Sequence, residues 1–266
     1  MFVRYQCPYR ALHFDLILLF FTRFFRGDGY LTMTNSDGIA FLRTKYAVDE
    51  RPDVCLIFFP GAIPQLEAVF RVLGIREDYI IDYFNNLPRD KRIWSFFAFL
   101  LKPNSTGSYR LRSKNPFDDP LIQTNYFRDE MDVKVLIEGI KTGIKLSKTK
   151  AFAKFGSSII DRKIPGCECG YTFGTDEYWE CVVRQLTLNA HHQLSTCQMG
   201  PANDENAVVD NELKVHGIKG LRVADVSVVP VHITAPTNAA AYMIAEKAAD
   251  MIKKDWVNAT AVVYAK

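Results

Sequence analysis

Strand and helix signals are mixed along this chain at hairpin-like spacing, without strict β-α-β alternation. That spacing predicts an α+β fold, an antiparallel sheet flanked by helices. Gly38 to Tyr46 and Asp53 to Phe59 read as strands, the second fully buried in its middle. Ile93 to Leu101 (IWSFFAFLL) is the most apolar strand in the chain. Ser108 to Arg112 alternates like a half-exposed strand, and Leu221 to Val229 reads as another. Residues 62 to 86 carry helical spacing, with Leu66, Val69, Phe70 and Leu73 on one face. Asp129 to Ser147 predicts a long helix with Val133, Leu136, Ile140 and Ile144 on one stripe. Thr175 is an N-cap candidate for a helix from Asp176 to Leu186, whose first turn holds two acids. A final helix is expected from about Ala239 to Lys254. Between these elements, Asn115 to Pro120 is a loop, because two prolines forbid regular pairing.

Composition narrows the partners. With 48% hydrophobic and 13% aromatic residues, the chain has ample material for a packed core. Its 33 basic and 30 acidic residues are interspersed, so no footprint for nucleic acid stands out. Arg110, Arg112 and Lys114, the densest basic cluster, read as a solvated strand edge. Six cysteines are too few for a disulfide scaffold. Cys167 and Cys169 lack the C-x-x-C spacing of a zinc knuckle, so no metal is expected. A disulfide from Cys167 or Cys169 to Cys181 is the better reading, and it would imply secretion. Residues 16 to 21, with Phe24 and Phe25, form an apolar stretch bracketed by Asp15 and Arg23, too short to span a bilayer. Residues 1–27 are therefore expected to carry an amphipathic helix, with a signal peptide or membrane anchor as the alternative.

Chemistry concentrates in the last quarter. His191 and His192 sit on an irregular segment, and a histidine accepts a proton near neutral pH. Dehydrogenating an alcohol needs such a base for the hydroxyl proton while the carbon-bound hydrogen leaves as hydride. Ser195 and Cys197 lie nearby, but G-x-S-x-G is missing and nothing supplies an orienting acid, which disfavours a hydrolase. Thr237 and Asn238 offer N-cap side chains to the final helix, and Ala239 to Ala241 continue it with small residues. A helix start of that kind lets an anion approach free backbone N–H groups, as the N1–C2=O edge of a reduced flavin would. No G-x-G-x-x-G follows a predicted strand, so the chain alone builds no standard dinucleotide cradle.

Three motifs carry a resemblance to a known family. They are His192 to Gly200 (H-Q-L-S-T-C-Q-M-G), Ala207 to Val223, and Asn238 to Asp250. Gly107 to Leu111, Asn115-Pro116, Asn125 to Phe127, Glu138-Gly139 and Asp176 to Trp179 fit as well. With these motifs in order, residues 28 to 256 resemble the glucose–methanol–choline (GMC) oxidoreductases, FAD-dependent enzymes that oxidise alcohols, closest to the arthropod glucose-dehydrogenase-like type. The resemblance implies FAD as cofactor, a small-molecule alcohol as substrate, and a fragment of roughly half a family member. It implies a substrate-binding domain at 28–200, a return to the FAD domain at 201–256, and a tail at 257–266. His192 falls on the family's catalytic base. Asp225 and Val226 would approach the FAD pyrophosphate or ribityl chain, Asn238 and Ala239 would lie beside the flavin's pyrimidine edge, and His191 would shape the substrate pocket. The resemblance is broken at two places. Ser195 replaces the pattern's glycine, and Pro236 stands where the family usually has a second His or Asn, leaving Asn238 or His232 as the candidate second polar group. A non-catalytic homologue of the family is the rival expectation.

Overall fold

A computed structural model describes residues 2–5, 22–27, 36, 38–62, 67, 70–85, 87 and 92–264. The expected N-terminal helix lies mostly outside these residues; within them, Thr22–Arg26 form a π-helical turn. The chain divides into two compact units, residues 1–100 with 126–188, and residues 101–125 with 189–266. Both are built from separated segments, whereas the domains expected from the sequence are continuous segments divided after residues 27, 200 and 256.

The first unit is an antiparallel sheet covered by helices, the α+β architecture expected. Its strands are β1 (Phe2–Tyr5), β2 (Gly38–Leu42), β3 (Val54–Ala62), β4 (Arg92–Leu100) and β7 (Ser158–Ile159), in the order β2-β3-β4-β1-β7. β3 and β4 pair over nine positions, from Val54 with Leu100 to Ala62 with Arg92. They are the two apolar runs legible in the sequence, and apolar strands belong in the middle of a covered sheet. The unit also holds α1 (Glu77–Asn85), α2 (Glu130–Ser147), α3 (Lys150–Ala153) and α4 (Asp176–Gln185). Asp129 caps α2 by accepting from the Met131 N–H, and Thr175 caps α4 by accepting from the Tyr178 N–H.

The single helix expected over 62–86 is broken. Residues 70–72 are helical, then the chain turns at Gly74 with φ +78°. The Ile75 N–H donates to the Phe70 carbonyl at 3.0 Å and the Gly74 N–H to the Arg71 carbonyl at 3.1 Å. This pair of bonds is a Schellman stop, and glycine adopts its left-handed residue without a Cβ clash. Ile75 then packs on the same apolar cluster as Phe70.

Helix α2 lies close over the sheet because Gly139 and Gly143, one turn apart, face it. A β-carbon at Gly139 would meet the Val54 side chain, and one at Gly143 would overlap the Phe96 ring. Phe96 is only 1% exposed and has nowhere to move. Such an overlap costs about 1–3 kcal/mol, while alanine returns about 0.5–1 kcal/mol of helix propensity. Gly143→Ala is therefore expected to lower the urea midpoint. An unchanged or raised midpoint would contradict the close approach.

One disulfide crosses this unit. Cys167 is bonded to Cys181, joining the turn at Ile164–Cys167 to α4. Cys169 is the expected alternative that stays free. Among the described residues, no cluster of three or more His, Cys, Asp or Glu could hold a metal ion.

The second unit holds a hairpin of β5 (Ser108–Arg110) and β6 (Leu121–Gln123), a 3-10 turn (Val226–Val228) and α5 (Asn238–Tyr264). Its core is Val209, Leu213, Val228, Ile244 and Ala248, so the 3-10 turn packs on α5. Two expectations fail here. Leu221 to Val229 does not form a strand: one bridge joins Lys214 and Arg222, and the chain then coils at Val226. The cause is Asp225, whose carboxylate accepts the Ser227 N–H at 2.7 Å and bends the backbone away from an extended course. The segment expected to be a tail is helical as far as Tyr264, since α5 continues past Lys254. On α5, Ile244 is buried, whereas Met243 and Trp256 are largely exposed. Among the described residues, no helix is long and apolar enough to cross a membrane.

Candidate active site

The site is built within the second unit. His192 follows Asn189, whose side-chain oxygen accepts the His191 N–H at 2.8 Å. His191 takes a left-handed backbone with φ +57°, and Ser195 another with φ +71°. Two such residues stand on either side of His192. At Ser195 this backbone explains why the family pattern has glycine. Here the serine offsets its strain by donating from Oγ to the Val229 carbonyl at 2.7 Å.

The same segment is tied to the 3-10 turn by its backbone. The Cys197 N–H donates to the Ser227 carbonyl at 2.9 Å and the Met199 N–H to the Val228 carbonyl at 2.8 Å. A longer bond runs from the Ser195 N–H to the Val226 carbonyl at 3.4 Å. The turn is held in turn by its cap, Asp225, and by Val228 packing against Ile244 and Ala248 of α5. Farther along α5, Asp255 accepts from Arg222 Nη2 at 2.7 Å. Arg222, and next Lys214, hold the Asp255 carboxyl below the usual carboxylate range.

These ties bring His192 to the start of α5. Its Nδ1 lies 3.0 Å from Thr237 Oγ1, although 45 residues separate the two. Thr237 is the residue whose carbonyl accepts the first helical bond, from the Ala241 N–H at 3.0 Å. The N–H groups that begin α5 therefore have no intrahelical acceptor, and the helix presents its positive pole there. Thr237 is buried, while Asn238 and Ala239 are exposed. Burial, and next the charge on His191, hold His192 below the ordinary imidazole pKa. That shift favours the neutral ring, the form that can take a proton.

The expected residues fall into two groups. His192 touches Thr237, the residue just before Asn238 and Ala239 at the start of α5, while Asp225 caps and Val226 begins the 3-10 turn bonded to the His192 segment. His191 is exposed beside His192. Thr237, read from sequence only as a helix cap, turns out to touch the imidazole. Its signal was there: a threonine between Pro236 and Asn238, at the position where a helix start gathers polar side chains. The Ser195 anchor was signalled by the departure from the family's glycine.

This arrangement fits a flavin. Exposed small residues and free N–H groups at a helix start suit an anionic ring edge. A carboxylate such as that of Asp225 pairs with hydroxyl groups and repels phosphate.

Comparison with known proteins agrees. A family model described as GMC oxidoreductase matches residues 103–245, just over half of the chain. Glucose dehydrogenase [FAD, quinone] of Drosophila melanogaster is 42% identical over 231 residues, covering 86% of this chain and 35% of that protein. Ecdysone oxidase of Spodoptera littoralis is 34% identical over 237 residues, covering 87% of this chain and 37% of that one. Among solved structures, formate oxidase of Aspergillus oryzae aligns with a TM-score of 0.69 at 22% identity, over 96% of this chain and 45% of that chain, a likeness of fold. The chain spans about a third of the length of the curated relatives it matches.

Proposed function

Because the chain belongs to the GMC oxidoreductase family, we propose that it serves FAD-dependent oxidation of an alcohol to a carbonyl compound, with His192 as the base. The observation that carries this reading is the 3.0 Å contact of His192 Nδ1 with Thr237 Oγ1, which holds the imidazole at the positive pole of α5. Bound FAD supplies the acceptor for the hydride that leaves the carbinol carbon. His192 takes the hydroxyl proton on Nε2, because Nδ1 faces Thr237. Asn238 and Ala239 would sit against the flavin's pyrimidine edge, with Asp225 and Val226 along the ribityl chain. His191 would border the substrate. On this reading 28–200 correspond to the family's substrate domain and 201–256 to its FAD-domain return. The substrate class is a primary or secondary alcohol such as the sugar or steroid that names the relatives, and the electron acceptor is oxygen or a quinone. The Cys167–Cys181 bond favours an oxidising compartment.

The test is a chimera grafting residues 28–256 onto a relative that carries the glycine-rich FAD loop. Anaerobic mixing with a panel of sugars, steroids and simple alcohols is expected to bleach the flavin absorbance with at least one. A chimera that binds FAD and is reduced by none contradicts the reading. That outcome would support the second reading, a non-catalytic homologue, which Pro236 favours: it has neither a side-chain donor nor an acceptor where the family has a second His or Asn.

A further inference from the structure

We propose that Thr237 is the positioning residue of His192, its hydroxyl oxygen accepting the Nδ1–H and so holding the imidazole in the tautomer whose lone pair is on Nε2. The inference rests on the reading of His192 as a base.

A neutral imidazole has one N–H and one lone pair, and the partner of one nitrogen decides the state of the other. Nδ1 is occupied by Thr237 Oγ1 at 3.0 Å. A proton arriving from a substrate therefore goes to Nε2, which requires that Nδ1 already carry hydrogen. The hydroxyl then accepts from Nδ1–H before and after proton transfer, and nothing has to turn when the charge appears. With the opposite tautomer the lone pair would be on Nδ1, behind a buried threonine and out of a substrate's reach.

Thr237 is suited to hold one geometry. It is 7% exposed. Its carbonyl is fixed by the first helical bond of α5, from the Ala241 N–H. Its β-branched side chain is stiff at χ1. Pro236 before it restricts the backbone and contributes no N–H that could compete for the ring. The histidine side is equally constrained, by the left-handed residues at 191 and 195 and by the Ser195 bond to Val229. A hydroxyl acceptor on Nδ1–H also offsets part of what burial and the neighbouring His191 cost the charged ring.

The experiment is nitrogen-15 NMR of the imidazoles in the full chain without flavin, with His192→Gln used to assign the resonance. The wild type and Thr237→Ser are expected to show the Nδ1–H tautomer at His192. In Thr237→Val, a near-isosteric change, the Nε2–H tautomer is expected to grow. The His192 pKa there should fall by roughly half to one pH unit, because an acceptor that favours the charged ring is lost. An Nε2–H tautomer in the wild type overturns the proposal, since the hydroxyl would then be the donor. A rise of the pKa in Thr237→Val overturns it for the same reason. Should the valine variant fail to fold, the wild type and the serine variant decide by their tautomer alone. No flavin takes part, so an alcohol assay that cleared His192 of the base role would leave this tautomer result standing on its own.

Discussion

His192→Ala is expected to slow reduction of bound flavin by alcohol by about 10²–10⁴-fold, the usual contribution of a positioned general base. The measurement is stopped-flow absorbance in the chimera that carries the family's FAD loop. The size of the effect follows from the chemistry. Without a base, hydride would have to leave a neutral alcohol, and the product would be a protonated carbonyl. With the imidazole in place, the proton departs to a group that is neutral at the working pH. The pH profile carries the same signature. Burial and His191 hold the ring's pKa below the ordinary imidazole value, so the rate should be lost only as pH falls through that lowered value. His192→Ala should flatten that limb. Unchanged reduction kinetics would remove His192 from the mechanism and leave the fold and family assignment as they are.

Breaking the Cys167–Cys181 bond is expected to cost about 3 kcal/mol, a loss of roughly a hundredfold in the folding constant. The bond closes a loop of sequence separation 14, and opening it returns that entropy to the unfolded chain. The loss is aggravated by the site: Cys167 is fully buried in a cluster with Val133, Tyr178 and Trp179. Trp179 fluorescence followed through urea, with and without reductant, reads the change. Cys167→Ala with Cys181→Ala should reproduce the reduced protein and be insensitive to reductant. Coincident curves for oxidised and reduced wild type would show that the bridge contributes nothing to this unit.

What was legible beforehand was chiefly local. The strands at Asp53 to Phe59 and Ile93 to Leu101 are recognisable because a run of apolar residues between turn signals has few other uses. The caps at Asp129 and Thr175 are equally readable, since the side chain and the N–H it satisfies lie within three residues of each other. The failures were also local, where one residue outweighed a pattern. Gly74 stops a helix that the apolar spacing would have continued. Asp225 coils a segment that its valines would have extended. In both cases a local hydrogen bond, backbone to backbone at Gly74 and backbone to side chain at Asp225, competed with periodicity and prevailed.

The family pattern pointed to His192, Asn238 and the start of α5, and the tertiary structure sets His192 against Thr237, the residue before Asn238. It could not have given Thr237 as the partner of the imidazole, or Cys181 as the partner of Cys167 and not of Cys169. The sequence by itself determined the family and most of the long helices and central strands, because those follow from periodicities and hydrogen bonds that span a few residues. The tertiary structure alone decided which side chains meet. The 3.0 Å contact across 45 residues exists because Ser195, Cys197 and Met199 bind the 3-10 turn, and because Val228 seats that turn on α5. A contact of that range is the sum of several packing and hydrogen-bond choices made elsewhere in the chain, and no window of the sequence contains them all.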